Sequence, residues 1–166
     1  MATKNIKVKL MRENSKMPES KNGNWFDVFT SGATILPGWT IRGEFSFDRT
    51  PQHTKGIIRY NAGDVIILHL GIAVDMGKGY EGHILPRSST FKNTGLLLTN
   101  SMGLVDDSYC GDNDEWLAVM YATRAGAIKI GDRHCQIQVE KSSTVQMTQV
   151  EMLGNEDRGG YGSTGK

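Results

Sequence analysis

Apolar residues in this chain fall in short runs separated by turn residues, and none repeats at helical spacing over the length of a helix. The stretch IKVKLM (6–11) alternates and reads as an edge or pairing strand. TILPGWTI (34–41) carries Pro37-Gly38 at its turn, and the alternation in 43–53 breaks at Pro51, so 41–55 reads as an excursion from the compact core. Residues 56–76 suggest a hairpin-like pair joined by Asn61–Asp64, and YEGHILP (80–86) a strand ended by Pro86. GLLLTN (95–100) and MGLVDD (102–107) flank a short turn. WLAVMYAT (116–123), AIKI (127–130) and RHCQIQVEK (133–141) continue the series, with Gly131-Asp132 as a tight turn. Between these strands, 88–93 fits a helical turn capped by Ser88, and 145–153 fits either strand or helix. Many short strands with Gly-rich turns predict an all-β barrel or sandwich.

Length and charge narrow the picture. A chain of 166 residues suits one domain with a real core. A formal net charge of +1 gives no broad attraction to a nucleic-acid backbone or an anionic membrane, so neither is an expected partner. No apolar run approaches the roughly 18 residues of a membrane span, and the N-terminal MATKNIKVKLM lacks a signal-peptide core. Cys110 and Cys135 have no metal-like spacing; two free thiols in the cytoplasm are the expectation, with a single disulfide left open. His53, His69, His83 and His134 form no metal-ligand spacing either.

Polar residues concentrate in 99–114. Asp106 follows the apolar Gly103-Leu104-Val105 and precedes Tyr109, a placement that suits either a general base orienting water or an ordinary surface turn. Its neighbour Asp107 faces the other way if the strand continues, as a solvated or structural partner. Arg87, Ser88 and Ser89 follow a strand and offer a guanidinium and two hydroxyls to an anion, or form a plain capped turn. Arg133 and Gln136, three positions apart, would face opposite sides of a straight strand. Asp27, set in NWFDVF, either holds a loop or supports a cation through water. The terminal RGGYGSTGK (158–166) lacks apolar periodicity and reads as disorder or as a lid over an anion.

Taken in order, NWFDVF around Asp27, PRSS (86–89), NSMGLVDDSYCG (100–111), GDRHCQ (131–136) and RGGYGSTGK (158–166) resemble the five motifs of the trimeric all-β dUTP diphosphatase family, in a version similar to that of Gram-positive bacteria and their phages. The resemblance implies a distorted jelly-roll-like β-barrel over 1–153, a flexible C-terminal lid over 154–166, and a homotrimer whose sites are shared among three subunits. It implies hydrolysis of dUTP to dUMP and pyrophosphate at the α-phosphorus, with Mg²⁺ held by the triphosphate. By that likeness Asp106 activates the water and Tyr109 packs beneath the deoxyribose. Asn100 and Gly103 belong to the uracil-reading hairpin. Arg87, Ser88, Ser89 and Gln136 serve the phosphates, and Asp27 meets a metal-bound water. In the tail, Arg158 reaches the phosphates, Tyr161 covers the uracil, Ser163, Thr164 and Gly165 close around the phosphates, and Gly162 also binds substrate. Trp116 is a candidate hydrophobic gate or a core residue. The terminal motif is two residues shorter between Arg158 and the aromatic than RGxGGFGSTG, and Cys110 stands where Arg or Gln is common.

Two other readings stand beside this one. A dCTP deaminase of the same fold would share PRSS and the β core. A nucleotide-sensing protein would keep the pocket and act through a regulatory protein partner that the sequence does not identify.

Overall fold

The computed structural model describes residues 4–38, 50–157 and 159. Its elements in chain order are β1 (Lys7–Leu10), β2 (Phe26–Phe29), β3 (Gly32–Leu36), β4 (Ile57–Tyr60), β5 (Val65–His69), β6 (Ile72–Asp75), β7 (Tyr80–Pro86), α1 (Thr90–Thr94), β8 (Leu96–Leu98), β9 (Gly103–Val105), β10 (Leu117–Ala122), β11 (Gly126–Lys129) and β12 (Arg133–Lys141). They form two four-stranded sheets, β3-β5-β10-β8 and β2-β12-β7-β9, and two ribbons, β1-β6 and β11-β4. Every strand pairing among the described residues is antiparallel. The all-β, jelly-roll-like expectation holds.

Both apolar patterns have a structural counterpart. β5 (VIILH) is buried at every position because it lies between β3 and β10 in the middle of its sheet. β4 (IIRY) alternates, turning Ile58 and Tyr60 inward and Ile57 and Arg59 outward. One hydrophobic cluster draws on both sheets and both ribbons, including Ile66, Leu68, Met120, Ile84, Ile137, Ile72 and Ile58. Each such side chain contributes about 1.5–3 kcal/mol on burial.

Trp116 sits in this cluster at 1% exposure, so it is a core residue and not an exposed gate. Its indole lies over Gly82 of β7, where a Cβ would come within 2.3 Å of Trp116 Cη2. Only a residue without a side chain lets the ring lie there.

Several expectations are corrected. The Asn61–Asp64 turn forms, with Asp64 Oδ2 accepting the Asn61 N–H at 2.8 Å and Gly63 at φ 88°. Yet β4 and β5 do not make a hairpin, because β4 pairs with β11 while β5 pairs with β3 and β10. The turn carries the chain from one sheet to another. The strands β8 and β9, on either side of the 99–102 turn, likewise pair with β10 and β7 and not with each other. The helix α1 starts after Ser89, one residue beyond the expected cap, and the Ser89 side chain makes no capping bond. Gly95, at φ 74°, ends it in the left-handed conformation. Residues 145–153 are neither strand nor helix, and Val145, Met147, Val150, Met152 and Leu153 are exposed. Most of the 41–55 excursion lies outside the described residues; at its end His53 bridges Ala33 of β3. No helix among the described residues is long and apolar enough to cross a membrane.

Both cysteines are free: Cys110 is exposed and Cys135 buried. Desolvation pushes the Cys135 thiol up to about 12, so it carries no thiolate at neutral pH. Titration of the native protein with a disulfide reagent should therefore modify Cys110 alone, and both thiols only in denaturant. Two rapidly reacting thiols in the native state would contradict this burial.

Candidate active site

Among the predicted site residues, Arg87 and Ser89 line one cleft, and Asn100, Gly103, Asp106 and Tyr109 line another; Asp27 lines neither. The larger, about 860 Å³, is lined by Arg87, Ser89, Thr90, Arg133 and His134 together with Lys16, Lys21 and Lys129, against Glu19 and Asp132. The smaller, about 310 Å³, is lined by Asn100, Gly103, Asp106 and Tyr109 together with Ile84, Glu115 and Trp116. No described residue lines both. Ser88 is exposed beside the first cleft but does not line it. Gln136 lines neither; its side-chain amide reaches the Pro86 carbonyl at 3.4 Å. Arg158, Tyr161, Gly162, Ser163, Thr164 and Gly165 lie outside the described residues.

The cationic cleft is organised by a bulge in β12. Arg133 stands opposite Phe29, Cys135 opposite Val28 and Gln136 opposite Asp27, so the register slips between Arg133 and Cys135. Paired residues share a face, and Asp27 and Phe29 are two apart on one strand. Arg133 and Gln136 consequently face the same side as Asp27, contrary to the expectation for a straight strand. Arg133 Nη1 donates to Asp27 Oδ2 at 3.2 Å, and Arg87 Nε meets Asp27 Oδ1 at 2.8 Å. Both carboxylate oxygens of Asp27 are thus engaged by guanidinium groups.

Buried hydrogen bonds fix Arg87 from behind. The His134 carbonyl accepts the Arg87 N–H at 3.0 Å and the Thr90 hydroxyl at 2.6 Å. The His134 ring meets the Thr30 hydroxyl at 2.8 Å through Nδ1. Burial, helped by the nearby Arg87 charge and opposed by Asp132, lowers the His134 pKa and favours the neutral ring. Sequence motifs did not single out Lys16, Lys21 or Lys129. Lys16 and Lys21 come from the segment before β2, which is tied to the sheet edge where Glu19 and Asp27 exchange backbone hydrogen bonds of 3.0 and 2.8 Å. The Lys16 ammonium lies 5.0 Å from the centre of the Phe29 ring.

The second cleft is built on the turn after β9. Asp106 Oδ1 accepts the Ser108 N–H at 2.8 Å and a short bond from the Ser108 hydroxyl, while the Tyr109 N–H closes the turn on the Asp106 carbonyl at 3.2 Å. The Ser108 hydroxyl and amide, helped by the Tyr109 amide and opposed by desolvation, hold the Asp106 carboxyl below its usual value. It is ionised at neutral pH. Asp107 is turned away, its Oδ2 accepting the Gly79 N–H at 2.5 Å. The Tyr109 hydroxyl donates to the Glu115 carbonyl at 3.2 Å. At the turn before β9, Ser101 adopts φ 61° and the Met102 N–H bonds to the Asn100 carbonyl at 2.6 Å.

Among the described residues no group of three or more His, Cys, Asp or Glu side chains could cage a metal ion. Held by two guanidiniums, Asp27 is disfavoured as a direct ligand of a metal ion.

An all-β fold thus carries a carboxylate cleft beside a tyrosine ring and a separate cationic cleft. The dUTPase family model matches residues 54–165. A SPbeta prophage-derived deoxyuridine 5'-triphosphate nucleotidohydrolase of Bacillus subtilis is 52% identical over 100 residues, covering 60% of this chain and 70% of that protein. The deoxyuridine 5'-triphosphate nucleotidohydrolase of Finegoldia magna is 30% identical over 132 residues, covering 78% of this chain and 91% of its own. Among solved structures, a mutant dUTPase of Staphylococcus bacteriophage 80alpha with dUpNHpp superposes with a TM-score of 0.67 at 19% identity, covering 99% of this chain and 100% of that one. A mutant dUTPase of phage phi11 of S. aureus, described as coordinating a structural Mg(II) ion, gives 0.64 at 17% identity, covering 90% and 98%. This chain belongs to the dUTPase family.

The Asp27 clamp makes a direct prediction. In Asp27→Asn the two guanidiniums lose their counter-charge, and affinity for inorganic pyrophosphate measured by calorimetry without divalent cation should rise by about 3- to 10-fold, the scale of a partly exposed ion pair. Weaker binding would show that Asp27 matters more for aiming the arginines than for neutralising them.

Proposed function

We propose that this chain hydrolyses dUTP, taken as its Mg²⁺ complex, to dUMP and pyrophosphate. The observation that carries the reading is the gathering of ionised Asp106, Tyr109, Asn100 and Gly103 in one cleft. Uracil sits at the turn carrying Asn100 and Gly103, and the deoxyribose lies on the Tyr109 ring, leaving no room for a 2′-hydroxyl. Asp106 takes a proton from a water molecule, whose oxygen bonds to the α-phosphorus. The α–β bridging bond breaks and its electron pair leaves with pyrophosphate. Bound Mg²⁺ neutralises charge on the phosphate oxygens.

The phosphate groups belong to the cationic cleft, with Arg87, Ser88, Ser89 and Gln136 at its edge. That cleft and the nucleoside cleft share no described residue, which supports a reading in which a complete site combines more than one copy of the chain. A homotrimer supplies it, with residues 154–166 of one copy closing over another's site. In that cover Arg158, Ser163, Thr164 and Gly165 would meet phosphates, Tyr161 the base, and Gly162 would also contact substrate. Ordering such a tail costs about 1–2 kcal/mol per residue, and charge-assisted bonds of about 1.5–3 kcal/mol each offset this only with triphosphate present. Asp27 acts as the counter-charge of Arg87 and Arg133, and a metal-bound water would have to share it with them.

Pyrophosphate release should be selective for dUTP over UTP, dTTP and dCTP, with no ammonia formed from dCTP. Asp106→Asn should lower turnover by about 10²–10⁴-fold; undiminished turnover would remove Asp106 from the mechanism. The pH profile follows from the direction of the Asp106 shift. The base is active when deprotonated, so activity is lost only as pH falls through a pKa held below the ordinary Asp value of about 3.9. Ser108→Ala removes a bond to the ionised form and should move this acid limb to higher pH.

Deleting 158–166 should leave the assembly state unchanged by light scattering while turnover falls. Full turnover in the truncated protein would overturn the lid.

A further inference from the structure

Glu115 stands where the chain leaves the 106–114 turn and enters β10, and it is 4% exposed. Its carboxylate accepts the Arg12 guanidinium through both oxygens, Oε1 at 2.5 Å and Oε2 through a short contact. It also accepts the Gly71 N–H at 2.9 Å and meets His69 Nδ1 at 3.1 Å. Arg12 is largely buried and donates in addition to the Ser31 hydroxyl at 2.9 Å, which in turn donates to the His69 carbonyl at 3.2 Å. Burial pushes the Glu115 carboxyl upward, but the hydrogen bonds and charges of Arg12 and His69 outweigh it and keep the group ionised.

This network lies behind the nucleoside cleft, which Glu115 itself lines. It joins the exit of β1, the β5–β6 turn and the entrance of β10. It therefore fixes the main chain at residue 115, whose carbonyl receives the Tyr109 hydroxyl at 3.2 Å. The Tyr109 ring is thus held at both ends. Its backbone closes the Asp106 turn, and its hydroxyl is docked on a peptide group that an ion pair immobilises. A displacement of that peptide moves the ring edge that meets C2′ of the sugar.

We propose that Arg12 and Glu115 are positioning residues for sugar discrimination, acting through the Glu115 carbonyl on the depth of the Tyr109 ring. The proposal rests on the reading of Tyr109 as the surface beneath the deoxyribose. Neither residue touches the substrate. Their effect is on the ratio of kcat/KM for dUTP to that for UTP.

Removing one partner alone leaves a buried charge without its counter-ion and endangers folding. Replacing the pair together with apolar residues of similar volume is the safer variant. In Arg12→Met/Glu115→Met the buried Gly71 N–H loses its acceptor, so thermal unfolding should shift downward, while in the folded protein the dUTP/UTP ratio falls by about tenfold, a fraction of what a steric pocket can discriminate. Glu115→Gln, if folded, should show the same loss. Tyr109→Phe, which removes the hydroxyl bond, should show it too, and adding Tyr109→Phe to the paired variant should cause no further loss, because both act on one ring. Tyr109→Ala tests the underlying reading. If it retains full dUTP/UTP discrimination, Tyr109 is not the sugar surface. If it abolishes discrimination while the paired variant keeps the unmodified ratio, or if the Tyr109→Phe and paired losses simply add, the positioning role fails on its own.

Discussion

One extra residue in β12 decides where positive charge gathers. β12 is hydrogen-bonded along both edges, to β2 and to β7, so a change in its register moves side chains relative to two neighbours at once. The bulge between Arg133 and Cys135 turns Arg133 onto the face of Asp27. It also buries His134, whose carbonyl holds the Arg87 amide and the Thr90 hydroxyl. The ion pairs to Asp27 are partly exposed and contribute little by themselves. Backbone geometry and buried hydrogen bonds place the guanidiniums; the carboxylate tunes their charge.

The two clefts solve opposite electrostatic problems. The cationic cleft is open and gathers Lys16, Lys21, Lys129, Arg87 and Arg133 at little desolvation cost, because water still reaches it. Behind the Asp106 cleft the charges of Arg12 and Glu115 are withdrawn from water and must be matched atom by atom. The first arrangement tolerates adjustment when an anion arrives. The second holds its side chains in one geometry.

Legibility in the sequence followed the range of the interactions involved. The bounds of β7 and β12 were visible because alternation ends at Pro86 and begins after Gly131-Asp132, both local signals. The Asn61–Asp64 turn was equally visible, but turn chemistry does not name a strand's partner, and β4 found β11 instead of β5. Arg133 was misplaced because nothing in GDRHCQ announces an inserted residue. Arg12 and Glu115 are 103 positions apart and carry no motif, so their pairing exists only in the fold. Residues 145–153 have apolar spacing but form neither strand nor helix among the described residues, and their pattern was ambiguous. Asp106, Asn100, Gly103 and Tyr109 lie within ten residues of one another, and their common cleft was the easiest part of the site to anticipate.

Gly82 and Trp116 carry a historical consequence. A Cβ at 82 and an indole at 116 cannot occupy the same space, since they would approach to 2.3 Å. The two positions are therefore not free to drift independently: a lineage must shrink residue 116 before it can enlarge residue 82, and must hold glycine at 82 before tryptophan can arise at 116. The order of substitutions along that path is set by sterics, whatever the selection on activity.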